Sequence, residues 1–208
     1  MLVLLTGCAT YYPQVVDVPL IREKGDLRVN AGASWSPSVH GTVSYGATDI
    51  MAVQMYGSYD FGNRLHLQGA LGLFKGFENK TVIELYGGYG YGNSLHLDYL
   101  LSSRDYHLPF IQFNIGKSDP KADYGFGLKA GHLNTYLLSR DDHSPAYRYN
   151  DWVVEPCVFF RVGKKVKVNV MFKYMWPLSN VISSEYYSFN NINVGLGVNL
   201  SFFNKTAQ

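Results

Sequence analysis

Aspartate and histidine residues in the polar stretches of the chain are the side chains best suited to catalysis. A carboxylate that orients a histidine can activate water for hydrolysis, and the same residue types can bind a divalent metal ion. Both uses need the groups to converge in space, and polar loops carry such residues by default. None of the spacings HExxH, GxSxG, CxxC or a P-loop is present. The candidates for such a loop site are Asp98, Asp141, Asp142 and His143.

A second set of ionisable residues lies on the polar face of segments that alternate apolar and polar positions. If these segments close into a narrow barrel, the charged side chains share its lumen, where charges usually pair and fill the space. The alternative is a permeation path with a weak anion preference, since five cations face two carboxylates. The seven predicted lumen residues are Arg28, Glu84, Lys129, Glu155, Arg161, Lys167 and Lys173.

The element that must position these residues is the β-strand, because the alternation has a period of two. About ten segments have the length that crosses a bilayer. The repeated stretches around 61–67 and 91–97, and an expected interruption of the sixth segment near 102–107, leave the strand number between eight and twelve. We expect a bulge at Pro156, which cannot donate a ladder hydrogen bond. The ten segments are 27–35, 39–45, 51–59, 65–73, 83–91, 111–116, 124–131, 152–162, 166–176 and 192–202.

Composition indicates which face of these strands points outward. The polar face consists mostly of Gly, Ser, Asn and Gln, whereas the exterior of a soluble barrel carries many Lys and Glu. Charged residues make up only 16% of the 208 residues, against about 25% in soluble domains. The pattern favours an all-β, antiparallel up-and-down transmembrane barrel with the apolar face toward lipid over a soluble, lipocalin-like barrel. The net charge of +2 gives no indication of nucleic-acid binding.

Connections and aromatic residues fit the same barrel. Short turns near 48–49, 78–80, 118–122 and 163–165 alternate with long connections near 92–109, 134–151 and 177–191. Transmembrane barrels have short periplasmic turns and long extracellular loops, so an even strand number places both termini in the periplasm. Aromatic girdles are predicted at the outer rim (Trp35, Tyr59, Tyr91, Trp152, Trp176) and at the inner rim (Tyr45, Phe77, Tyr124, Phe202).

The N-terminal stretch Leu5-Thr6-Gly7-Cys8 looks like a lipobox, the motif that lipoprotein signal peptidase cleaves. This resemblance implies lipidation of Cys8, with residues 1–7 as a truncated signal peptide that lacks its basic region. Residues 8–26 are then a lipidated tether, 27–203 the barrel and 204–208 a C-terminal tail. A disulfide between Cys8 and Cys157 is the alternative use of these cysteines; otherwise we expect Cys157 to be a small buried hydrophobic residue.

The last predicted strand, "NVGLGVNLSFF", resembles the C-terminal signal that the barrel-assembly machinery reads, through Gly197, Leu200 and Phe202. Together with "ELYGGYGYG", "QFNIGK" and the stretch that begins at Cys8, the chain resembles lipid-anchored outer-membrane β-barrel proteins of Bacteroidetes-type bacteria. The resemblance implies an outer-membrane location, contact with outer-membrane lipid and assembly by that machinery. It implies no enzymatic activity, catalytic residue, metal or cofactor.

Three functional hypotheses follow. The first is a structural or accessory barrel whose extracellular loops, such as the tyrosine-rich stretch at 183–189, bind a protein or glycan partner. The second is a small porin-like channel. The third is a surface hydrolase, because "SRDDHSP" at 139–145 is similar to the Asp and His pairs of outer-membrane proteases. The first hypothesis is our prediction, since the loop site lacks a catalytic motif and the lumen charges are expected to pair.

Overall fold

Strands account for almost all of the regular structure, as the period-two alternation predicts. A computed structural model describes residues 17–35, 38–60, 64–94, 101–139, 145–178 and 192–202. No helix in these ranges is long and apolar enough to cross a membrane. The strands are β1 Leu27–Ser34, β2 Ser38–Gly46, β3 Met51–Asp60, β4 Arg64–Gly76, β5 Thr81–Ser94, β6 Leu101–Ser118, β7 Ala122–Ser139, β8 Pro145–Gly163, β9 Val166–Tyr174, β10 Trp176–Pro177 and β11 Ile192–Phe202.

These strands form a single antiparallel sheet that closes on itself. Each strand from β1 to β8 pairs with the next, β9 pairs with both β8 and β11, and β11 pairs with β1. The two-residue β10 continues β9 along β8 in the same register, since Lys173 lies opposite Cys157 and Trp176 opposite Val154. The sheet is therefore a closed barrel of ten strands, which confirms the predicted fold class and strand number.

The predicted bulge at Pro156 is wrong. On the β7 side, Leu128 lies opposite Pro156 and the register continues without a shift from Ala122 to Leu137. On the other side, the register of β8 with β9 and with β10 is the same, and the ladder is interrupted between Lys173 and Trp176, opposite Pro156 and Glu155. Because proline has no N–H to donate, local pairing with β9 is lost, but no extra residue is inserted into β8.

Strands β5 to β8 form a taller wall than the rest of the barrel. They contain 14 to 19 residues, whereas β1 to β4, β9 and β11 contain 8 to 13. The predicted interruption near 102–107 is wrong, because β6 is continuous and shifts register only between Leu101 and Ser103. Two long connections are correspondingly shorter than predicted. The four short turns lie where the sequence predicts them.

The two faces of the barrel wall have opposite chemistry over most of its height. Outward side chains are large, apolar and exposed, such as Leu71 and Val168, each 62% exposed. Inward side chains are buried and many are polar, including Gln112, Asn114 and Asn199. The predicted girdle residues face outward and most lie near the ends of the strands, although Trp152 lies in the middle of β8. Trp35 is the most exposed of them at 75%.

This chemistry reverses in the upper part of the tall wall. On β6, outward Ile111 and inward Gln112 give way to outward His107 and inward Leu108. The same reversal occurs on β7, where Leu133 is buried and His132 faces outward. On β6 and β7 the reversal takes place at one level, which we name the crossover level. Phe110 and Gly131 lie at this level and are partners in register, and Val153 is their neighbour on β8. On β8 the next inward residue above this level, Asp151, is still charged.

Candidate functional site

All seven predicted lumen residues face inward and are buried. Their exposed fractions do not exceed 2%, and those of Arg28, Glu155 and Arg161 are 0%. The strand alternation places them there, because each lies at an inward position of β1, β5, β7, β8 or β9. The structure therefore places Arg28, Glu84, Lys129, Glu155, Arg161, Lys167 and Lys173 inside the barrel.

Five buried inward carboxylates lie outside the set predicted from the sequence: Asp17, Asp26, Asp60, Asp123 and Asp151. Asp60, Asp123 and Asp151 have inward parity on β3, β7 and β8, and each was excluded only because the predicted strand ended or began one residue short of it. Asp17 and Asp26 lie in an irregular segment, which has no periodic pattern. With Glu84 and Glu155, the described residues include seven buried carboxylates against five buried Lys and Arg side chains.

The lower lumen, at the short-turn end, is crossed by residues 17–26, which we call the N-terminal segment. The sequence analysis assigned this stretch to a tether ahead of the barrel. Its described residues instead lie inside, where Val18, Leu20 and Ile21 are each 0% exposed. Apolar packing on the inner wall explains this position. The rest of the predicted tether, 8–16, and Cys8 itself lie outside the described residues.

Wall side chains hold the backbone of the N-terminal segment in place. Gln54 and Gln112 both donate hydrogen bonds to the carbonyl oxygen of Asp17, at 3.2 and 3.3 Å. The N–H of Ile21 donates to the Glu84 carboxylate at 2.7 Å. Since an irregular buried backbone needs such partners, these contacts replace the ladder that the segment lacks. Leu20 adopts a left-handed conformation, with φ of 56°, so the surrounding contacts must hold it there.

Two wall glycines give the segment room to pass. A Cβ atom on Gly46 would lie 2.5 Å from the carbonyl oxygen of Glu23, and one on Gly76 would lie 2.7 Å from that of Arg22. Any larger residue would push the backbone of the segment away from the wall. The segment and the inner wall are thus complementary in shape as well as in hydrogen bonding.

Ion pairs complete the lower lumen. Arg161 contacts Asp17 and the carbonyl oxygen of Val18, each at 2.6 Å. Arg28 contacts Asp26 at 3.0 Å and Asp123 at 3.7 Å, and Lys167 contacts Asp123 at 2.6 Å. Buried ion pairs contribute little net stability, but losing one partner leaves a costly isolated charge. The pairs therefore fix the position of the segment rather than leave mobile charges along a path.

A second ionic cluster lies just below the crossover level. The Glu155 carboxylate accepts a contact from Lys173 at 2.9 Å and lies 3.8 Å from the Lys129 ammonium. Lys129 also donates to the Gln68 side-chain oxygen at 2.7 Å and lies 4.4 Å from the centre of the Phe110 ring. Two ammonium groups thus share one carboxylate, with an amide and an aromatic ring as further partners.

Above this cluster the lumen is filled by rings and apolar side chains. The Tyr106 hydroxyl and the Nδ1 atom of His66 are hydrogen-bonded at 2.8 Å, and the Tyr56 ring is tilted against the His66 ring with their centres 5.7 Å apart. An apolar cluster lies next to them, formed by Tyr106, Leu108, Leu133, Val153 and Met175. The exposed fractions of these five residues are 5% or less. The lumen is therefore packed both by the N-terminal segment below and by strand side chains above.

Outside the barrel, a cleft of about 410 Å³ lies between two short turns and is lined by Glu78, Lys80, Lys117, Asp119 and Tyr124 among others. The Lys80 ammonium donates to the Asp119 carboxylate at 2.6 Å. This hydrogen bond is the main reason that the pKa of Asp119 is lower than usual. The cleft has two bases and two acids, so its charges do not favour an ionic ligand of either sign.

The loop candidates Asp98, Asp141, Asp142 and His143 lie outside the described residues. Within the described ranges, no three His, Cys, Asp or Glu side chains are grouped so that they could hold a metal ion. Cys157 is a free thiol and is buried in the lower lumen beside Phe159 and Met171, as expected of a small hydrophobic residue.

Fold and site together define a closed ten-stranded antiparallel β-barrel with paired charges and a segment of its own chain inside. No protein-family model matches the sequence, and no similar curated protein was found.

Proposed function

We propose that this protein is a bacterial outer-membrane β-barrel with a structural or accessory role, closed to solute flow and without enzymatic activity. The observation that carries the proposal is the inverted wall chemistry below the crossover level. Large apolar residues such as Leu71, Ile111 and Val168 are each 62% exposed, while charged residues are buried in the lumen. A soluble monomer rarely exposes a continuous apolar surface of this kind, whereas lipid tails cover it at little cost.

A closed lumen supports the structural role over the channel alternative. The N-terminal segment occupies the lower lumen, and the Glu155 cluster and the apolar cluster fill the lumen above it. The anion preference considered for a channel depended on an excess of cations, but seven buried carboxylates face five buried Lys and Arg side chains among the described residues. No observation favours the hydrolase alternative.

The proposed orientation places the short turns in the periplasm. β1 begins and β11 ends at the short-turn end, since Leu27 lies opposite Phe202. Nine peptide links separate Cys8 from Asp17, a stretch that spans at most about 30 Å. A lipidated Cys8 could therefore reach the inner leaflet from the lumen. The lipid anchor, membership of the Bacteroidetes-type barrel proteins and assembly by the barrel-assembly machinery are parts of this proposal that depend on motif resemblance.

The accessory role would be exercised at the long-loop end. The connections between the long strands β5 to β8, and the tyrosine-rich stretch at 183–189, would present a surface to a protein or glycan partner. Loops on a rigid scaffold are the usual place for such binding. Pull-down from solubilised membranes should recover a partner in stoichiometric amounts, and its absence would count against an accessory role.

Site-directed spin labelling tests the membrane proposal. We would place nitroxides at positions 71, 111 and 168 of the protein in lipid vesicles, with position 165 in a short turn as the matched exposed control. The first three should be relaxed by dissolved oxygen more than by a water-soluble nickel chelate, and the control should show the opposite. If all four favour the nickel chelate and the protein stays monodisperse without detergent, it is a soluble barrel. Planar-bilayer recording should give no conductance steps, and steady single-channel currents would contradict a closed lumen.

A further inference from the structure

Five outward residues near the crossover level form a continuous polar and aromatic band, which we call the rim belt: Tyr89, His107, Asn134, His132 and Trp152. Its members are joined across β5, β6, β7 and β8. The Tyr89 hydroxyl is hydrogen-bonded to Nδ1 of His107, and His107 lies opposite Asn134 in register. The Asn134 amide lies 3.1 Å from Nδ1 of His132, whose ring centre is 5.0 Å from that of Trp152.

The position of the rim belt relative to the apolar wall is informative. Directly below it, outward residues are apolar and open to contact, including Ile111 at 62% and Phe113 at 40% exposure. The belt itself combines amphipathic rings with amide and imidazole groups. If the wall spans a membrane, as proposed above, the belt lies at the depth of the lipid headgroups, where such side chains are enriched. One lipid molecule could cover both surfaces, with acyl chains on the wall and its headgroup on the belt.

The chemistry of the belt selects among headgroups. Phosphate recognition normally uses Arg or Lys, and the five belt residues include neither. A charged neighbour among the described side chains is acidic: Asp105 is hydrogen-bonded to Tyr91, whose ring centre lies 5.4 Å from that of His107. Aromatic faces can stack on the apolar face of a sugar ring, and Asn, His and Tyr can exchange hydrogen bonds with its hydroxyl groups.

We propose that the rim belt binds the uncharged sugar headgroup of a membrane glycolipid whose acyl chains lie on the outer wall of β5 to β8. This site is on the side of the barrel and differs from the loops considered for partner binding. The proposal rests on the proposed membrane location, and it adds a ligand class and a site to it.

Spin-labelled lipids provide the test. The full chain is reconstituted in phosphatidylcholine vesicles, and electron paramagnetic resonance measures the motionally restricted fraction of three probes. The probes are digalactosyl diacylglycerol, phosphatidylcholine and phosphatidylglycerol, each labelled at the same acyl position. The expected relative association of the galactolipid over phosphatidylcholine is about threefold to tenfold, the ratio that one or two ring contacts provide.

Variants assign any preference to the belt. The His107→Ala, His132→Ala, Trp152→Ala triple variant should bring the galactolipid down to the level of phosphatidylcholine, and Trp152→Ala alone should lower it partly. The matched control is Tyr59→Ala, an outward aromatic residue on the shorter wall, which should leave the preference unchanged.

The outcomes separate the two proposals. No preference for the galactolipid, a stronger preference for phosphatidylglycerol, or equal loss in the Tyr59→Ala control would each overturn the glycolipid site while leaving membrane insertion intact. If no restricted component appears with any of the three lipids, the protein does not contact lipid, and the membrane proposal fails together with the site. If the triple variant does not insert, the Trp152→Ala variant alone tests the glycolipid site: an unchanged galactolipid preference in this variant would overturn it.

Discussion

The lower and upper parts of the wall formed by β6 and β7 share the same strands but bury opposite kinds of side chain. Below the crossover level, Phe113 and Leu128 point outward and Gln112 and Lys129 point into the lumen. Above it, His107 and His132 point outward, while Leu108 and Leu133 are buried at 0% and 1% exposure. The register of β6 with β7 is unchanged across the crossover level, although the pairs of Leu108 with Leu133 and of Pro109 with His132 are missing from the ladder.

The difference teaches that alternation alone does not reveal which face is inside. An alternation with a period of two shows only that one side of a strand is apolar and the other polar. The surroundings set the phase: lipid outside favours an apolar outer face, and water outside favours an apolar inner face. On this interpretation the crossover level marks the upper boundary of the membrane on the tall wall, and changes placed on either side of it should have different consequences.

The largest expected effect is on the ionic cluster just below the crossover level. Glu155→Ala leaves the ammonium groups of Lys129 and Lys173 buried without their shared carboxylate. The free energy of unfolding from vesicles should fall by about 3–5 kcal/mol, measured by urea titration.

A compensating variant makes this prediction specific. Glu155→Leu combined with Lys173→Met keeps the net charge of the cluster, because one carboxylate and one ammonium group are removed together. It should recover most of the lost free energy, since Lys129 retains Gln68 and the Phe110 ring. A double variant as unstable as Glu155→Ala would show that packing, not charge, is responsible.

The next effect tests whether lipid covers the lower outer face. Phe113→Arg places a charge on the apolar band and should lower the free energy of unfolding by about 2–4 kcal/mol if that position lies deep in the bilayer. His107→Arg on the same strand, above the crossover level, should cost less than about 1 kcal/mol. Equal losses at the two positions would mean that the crossover level is not a membrane boundary.

A pair of identical truncations on β8 compares the two environments more finely. Val153 is 1% exposed in the upper lumen, whereas Val158 is 51% exposed on the lower outer wall. Val153→Ala removes two buried carbon atoms and should cost about 1.5 kcal/mol. Val158→Ala should cost clearly less in the same urea titration, because lipid tails can fill the space left by the methyl groups. A larger loss at Val158 would contradict the proposed lipid contact.

The same comparison explains which features the sequence could predict. Strand alternation groups all seven predicted charges on one face of the strands, and the composition of that face, mostly Gly, Ser, Asn and Gln, indicated that it is the inner one. Alternation failed at residues 102–107 because it assumed a single phase for each strand, and the polar outward residues Asp105 and His107 then resembled a loop. Asp123 was lost to a strand boundary placed one residue late, the least reliable part of such a prediction.

The N-terminal segment could not be predicted in this way. Its position depends on long-range contacts, such as Arg161 with Asp17 across 144 residues and Glu84 with Ile21 across 63. No local pattern encodes such pairs, and prolines at 13 and 19 favoured a tether. The predicted excess of lumen cations disappears once the two carboxylates of this segment and the three that lie one residue outside the predicted strands are counted.

The smallest expected effect is that of replacing Cys8, and it tests independently whether the outer wall contacts lipid. If the exposed apolar band contacts lipid, the barrel holds the protein in the membrane without help from acyl chains. Cys8→Ser should then leave the protein in the membrane fraction after carbonate extraction, but should alter its sorting or assembly because the lipoprotein signal is lost. Metabolic labelling with palmitate, present in the original chain and absent from the variant, controls for lipidation. Complete release of the variant into the soluble fraction would show that the acyl chains alone anchor the protein, and that the apolar outer wall below the crossover level does not face lipid.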